Sequence, residues 1–118
     1  MDSILTSIKK MLGIAEEYEQ FDMDIIIHIN SVLSILNDLG VGPESGYSIV
    51  SKETTWYDYV SNATTNNIET IKTYIYLKVK LIFDPPSNAS AIASMEKLIQ
   101  EFEWRIAQNA EKYQKEET

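Results

Sequence analysis

The chain contains no cysteine. That excludes a disulfide framework and all thiolate chemistry, and it fits a reducing compartment. It contains one histidine, His28. A nucleophilic serine or threonine needs a base beside it, and no G-x-S-x-G surrounds any of the many hydroxyl residues. A metal centre would need further His or Cys, or carboxylates clustered at ligand spacing. His28 falls at the edge of an apolar helical face and reads as a polar residue closing the core edge. Neither G-x-x-x-x-G-K-[ST] nor G-x-G-x-x-G is present, so no loop is built to cradle phosphates. Apolar runs extend only a few residues, too short to span a membrane. No basic region precedes an apolar stretch near Met1, so no secretory signal is expected. The acceptor patterns Asn62-Ala63-Thr64 and Asn88-Ala89-Ser90 then read as chance.

Basic residues are also scarce: 10 against 18 acidic ones, a net charge of -8. This argues against binding DNA through a basic face. The adjacent carboxylates Glu16-Glu17, and Glu101 with Glu103, fall on expected solvent faces and lack the enclosed cleft that acid–base catalysis requires. We therefore expect no catalytic residue, no cofactor, no metal and no enzyme.

What is present is a helical pattern. With 118 residues, 44% of them hydrophobic, one domain is expected, and a chain of this length buries roughly 65% of its unfolded surface. A first helix is predicted from about Ser3 to Leu12, with Ile4, Leu5, Ile8, Met11 and Leu12 on one side and Lys9 and Lys10 outside. Gly13 ends it. A second starts near Asp22 and Asp24 and stops at Gly40 and Gly42-Pro43. Ile25, Ile26, Ile29, Val32, Leu33 and Leu36 share its apolar face. Residues 41 to 62 form an irregular middle. There, Tyr47, Ile49 and Val50 suit a short strand or extended strip, and Thr55 with Asp58 resembles a capping box for a single turn through Val60. A third helix, signalled by Asn66 and Glu69, ends at Asp84 before Pro85-Pro86. It carries two apolar stripes, one of Ile68, Ile71, Ile75, Val79 and Ile82 and one of Tyr74, Leu77 and Leu81. A helix apolar on two sides is sandwiched between neighbours, which predicts a central position for it. Lys72, Lys78 and Lys80 are expected to pack their stems and snorkel.

The fourth helix is predicted from about Ser87–Ser90 to Tyr113, with Ile92, Met95, Leu98, Ile99, Phe102, Ile106, Ala110 and Tyr113 on one stripe. Its length of about 35 Å exceeds twice a ~13 Å domain radius, so its end should project. The expected fold class is all-α: about four helices, a long C-terminal helix and a short extended or irregular segment in the middle. The domain covers 1–113, and 114–118 form a charged, disordered tail.

Large residues on the wrong face carry the functional signal. Trp104 sits on the polar side of the last helix among Lys97, Gln100, Gln108 and Glu111. Tryptophan is enriched at interface anchors. Either another segment, such as residues 47 to 60, covers it, or a partner does, or it is simply exposed. Ile27 lies on the polar face of the second helix near Met23. Trp56, Tyr57 and Tyr59 cluster in the irregular middle, where at least one should anchor the loop in the core and the others are free to form a recognition surface. The candidate interface is Trp104, Arg105, Lys97, Glu101, Gln108, Ile27, Trp56 and Tyr57.

The segment YIYLKVKLIFDPP (Tyr74 to Pro86), the later EFEWRI (Glu101 to Ile106) and the upstream TTWYDYV (Thr54 to Val60) together resemble small head–tail connector proteins of tailed bacteriophages. The likeness runs from about Ser3 to Gln108. It implies a non-enzymatic adaptor in the virion neck, made in the host bacterial cytoplasm. Such a protein would assemble with itself as a ring under the portal protein, extend the DNA channel and dock a stopper or tail-completion protein. DNA would pass nearby without specific binding, and an acidic channel wall would let it slide. No membrane is implied. Trp104 and Arg105 match the E-W-R string. A reading from another class is a small regulatory module that caps a host or phage protein one-to-one.

Overall fold

The computed structural model describes the backbone of residues 2–60 and 67–117, and the side chains within 2–60 and 68–110. The Asn62 acceptor pattern, the Asn66 start signal and the side chains of Tyr113 and of the expected tail lie outside what is described, while the backbone of 114–117 continues the last helix.

The first helix, α1 (Ile4–Met11), begins where Ser3 Oγ accepts from the Thr6 amide at 3.2 Å. It ends at Leu12, and Gly13 follows at φ 82°, a left-handed conformation that favours glycine. The second helix, α2 (Asp22–Asp38), has no side-chain cap, so the charges of Asp22 and Asp24 in its first turn complement its dipole. Six buried side chains, Ile25 through Leu36, face the core. The single turn α3 (Trp56–Tyr59) carries a complete capping box: Asp58 N–H donates to Thr55 Oγ1 at 3.2 Å and Thr55 N–H donates to Asp58 Oδ2 at 2.9 Å. Then come α4 (Asn67–Phe83) and α5 (Ala89–Glu117). No strand occurs among the described residues. The fold is all-α.

Helix α4 is central. It contacts α1, α2 and α5, while α2 and α5 make at most marginal contact with each other. Tyr74 reaches α5, its hydroxyl donating to Glu103 Oε2 at 2.7 Å. Phe83 lies against Phe21, at the start of α2, with ring centroids 5.3 Å apart, and near His28. Nine residues separate Tyr74 from Phe83, or about 180° around a helix. The two neighbours therefore cover different sides of α4. Ile82 departs from the expected stripe: it is exposed, one turn from the end of α4, where Pro85-Pro86 turn the chain away. At 29 residues α5 is about 43 Å long and sets the 45 Å long axis of the molecule.

The irregular middle is held by side chains instead of a sheet. The Asn30 amide group of α2 clamps the extended strip by both main-chain groups of Ile49: Nδ2 donates to the carbonyl at 2.9 Å, and Oδ1 accepts from the amide at 2.7 Å. Ile49 is buried and Val50 points to solvent. The segment is tied to the N-terminus by Ile4 N–H to Thr54 O and by Trp56 N–H to Asp2 O.

Lys9 is where the sequence reading fails. Expected outside, it is only 2% exposed. Its ammonium donates to the carbonyls of Glu16 at 2.9 Å and Tyr18 at 2.7 Å, and stands 2.9 Å from Asp22 Oδ1. An ammonium has three donors; two meet carbonyls and the third side of the charge faces a carboxylate. This arrangement draws the α1–α2 loop over the end of α1. Removing one partner of a buried ion pair leaves the other uncompensated. Lys9→Met should therefore lower stability by about 2–3 kcal/mol, less than for a fully enclosed pair because Asp22 is partly solvated. Urea unfolding of the two proteins, followed by circular dichroism, measures the difference.

Candidate protein-interaction surface

The eight candidate residues divide cleanly. Trp56 is fully buried. Its indole N–H donates to Ser7 Oγ at 3.0 Å, and the Lys72 ammonium lies 5.4 Å from its ring centroid. This corrects its place on the candidate surface: it is the loop anchor of the core, because the single capped turn inserts this large apolar group between α1 and α4. Tyr59 is buried with it, its ring 5.1 Å from that of Tyr47. A Cβ added at Gly42, whose φ is 88°, would stand 2.8 Å from the Tyr59 ring, so glycine there is required twice over.

The other seven are exposed. Trp104 is 66% exposed, and the middle segment does not cover it. Around it on α5 stand Lys97, Glu101, Arg105 and Gln108, all exposed. The Arg105 guanidinium donates to Glu101 Oε1 at 2.8 Å, an i,i+4 pair on the surface, of a kind that contributes little to stability. The buried residues Ile99 and Ile106 lie on the opposite side of the helix. Ile27 is 57% exposed on the outer face of α2, opposite the buried Leu36, and Tyr57 is exposed within α3.

Glu103 corrects a second expectation. It is half-buried, not solvated, and accepts the Tyr74 hydrogen bond. Burial, then this hydrogen bond and charge, push the Tyr74 phenol well above its ordinary value; burial alone does the same for Tyr59. Sequence patterning missed the Tyr74–Glu103 contact because it joins residues 29 positions apart. His28 is half-buried with its ring near Phe83.

An open groove of 510 Å³ lies between α2 and the middle segment, lined by Asn30, Ser34, Asn37, Ser45, Tyr47 and Ser48 among others. It holds amides and hydroxyls with no carboxylate, histidine or lysine. No group of three or more potential metal ligands occurs among the described residues. No helix among them is long and apolar enough to cross a membrane.

The fold and this surface define a small helical protein whose distinctive exposed feature is a helix face bearing tryptophan. The family follows from the sequence profile of phage connector proteins, which matches residues 4–113: the chain belongs to the phage connector protein family. That family is structural, not enzymatic. No curated protein and no solved structure gives a significant match.

The two tryptophans should behave oppositely. Trp56→Ala is expected to cost about 3–5 kcal/mol of stability, and Trp104→Ala to stay within about 0.5 kcal/mol of the parent; urea denaturation separates them. For the tyrosines, a phenol pKa raised by folding favours the protonated native state. Its contribution is complete below pH about 10 and is lost as pH rises above that. The melting temperature should fall above pH 10, and Tyr74→Phe should make the fall shallower in a pH series by differential scanning fluorimetry.

Proposed function

We propose that the protein is a head–tail connector that forms a ring beneath the portal protein of a tailed phage and docks the stopper or tail-completion protein. The observation that carries this reading is Trp104, an indole two-thirds in water on a helix face that the monomer leaves unused. Membership of the connector family supports it. A large, rigid aromatic costs little entropy to immobilise and anchors interfaces well. Residues 1–113 constitute the connector domain, with 114–118 a charged tail. The protein is made in the host cytoplasm and resides in the virion neck. Its net charge of -8 suits a channel through which DNA passes unbound, since like charges repel.

Native mass spectrometry with and without the portal protein tests the assignment. A closed assembly of many copies, alone or on the portal, is the expected result. A one-to-one complex with a single partner would overturn it in favour of a regulatory module. Trp104→Ala should weaken assembly by about 30-fold, the effect of losing a hot-spot side chain.

A further inference from the structure

Two exposed stripes stand out once the helices are placed. On α2, Met23, Ile27, Ser31 and Ser34 follow one another at helical spacing, all exposed, with Met23 71% and Ile27 57% in solvent. Ser31 Oγ donates back to the Ile27 carbonyl at 3.1 Å, so its hydroxyl is partnered within the helix. The two serines are small and exposed beside two apolar side chains, and Ser34 also lines the groove next to the middle segment. On α5, the stripe is Lys97, Trp104 and Gln108, flanked by Arg105. Each spans twelve residues, about 16 Å from first to last.

Their charges differ in sign. Between Lys10 and Lys52 the chain has seven carboxylates and no Lys or Arg, and apart from Asp22, which pairs with Lys9, these carboxylates make the surroundings of α2 acidic. Asp24 and Asp38 flank the α2 stripe and are exposed. On and beside the α5 stripe stand Lys97, Arg105 and Glu101; Arg105 is paired with Glu101, which leaves Lys97 as a cation with no ion-pair partner among the described residues. The two stripes also face different ways, because α2 and α5 cover different sides of α4.

We infer that the Trp104 stripe of one copy packs on the Met23–Ser34 stripe of the next copy, helix against helix. The contact rests on the ring reading above and specifies its subunit interface. Two complementary surfaces on different sides of a subunit make a heterologous contact, which forms a ring when the rotation between copies closes, whereas a single self-complementary patch stops at a dimer. Trp104 packs on the two small serines, Ile27 and Met23 cover the indole, and the acidic surround of α2 attracts the unpaired Lys97.

The absence of cysteine in the natural chain makes the test direct. Ser34→Cys and Gln108→Cys are separate surface variants, each checked for native circular dichroism and treated with a short bis-maleimide. The mixture should give about tenfold more cross-linked dimer than either variant alone, because the contact joins two different faces. The double variant should give a ladder of larger products. Cross-linking of one variant to itself as strongly as in the mixture would overturn the proposal. Assemblies seen by native mass spectrometry without the mixed cross-link would overturn this pairing of faces and leave the ring standing. Neither assembly nor cross-link in concentrated protein would overturn both.

Discussion

Helix α4 must be covered on two sides, and the rest of the architecture follows from that constraint. Ile71, Ile75 and Val79 form one stripe and Tyr74 and Leu77 another, all buried. Exposing either would leave several large apolar groups in water, at about 1.5–3 kcal/mol each. One neighbour cannot cover both, so α1 and α2 take one part of the surface and α5 the other. Once α4 lies between them, the outer faces of α2 and α5 necessarily point apart. The apolar side chains exposed there, Ile27 and Trp104, thereby become separate surfaces of one small subunit.

The connections are held by polar side chains that reach main-chain groups. Lys9 gathers two loop carbonyls and a carboxylate, Asn30 holds both main-chain groups of Ile49, and Thr55 and Asp58 cap one turn. Lys9 and Asn30 would be costly to bury alone, and each is matched by main-chain groups the loops would otherwise leave unsatisfied. This lets a middle segment without regular structure present Tyr57 and Val50 outward while Trp56 and Ile49 anchor it.

Much of this was legible in the residue order. The helices of residues 4–11, 22–38 and 67–83 follow from apolar periodicity bounded by Gly13, Gly40 and Pro85-Pro86, and the Thr55–Asp58 capping box is readable from two residues three apart. The central place of α4 was readable from its two stripes. So was the anomaly at Trp104, because a polar surround on a helix wheel is local information. Periodicity failed where a side chain answers to something distant. Lys9 belongs to a surface by its charge, yet sits in the core because the loop carbonyls of Glu16 and Tyr18 come to it. Glu103 belongs to a polar face, yet turns to Tyr74 on another helix. Trp56 and Tyr57 are neighbours in an irregular segment with no period to separate them, and only packing decides that one is core and the other surface.

The sequence by itself therefore determined the helices, their limits, the helix that lies between the others and the tryptophan out of place on a polar face. These depend on spacing within a few turns, where propensity and burial act together. The tertiary structure alone decided that Trp104 stays uncovered, that Trp56 does not, and that the Ile27 and Trp104 faces lie on different sides. Those outcomes depend on which elements meet across the fold, a matter of long-range packing to which no short stretch of residues contributes enough free energy to fix the answer.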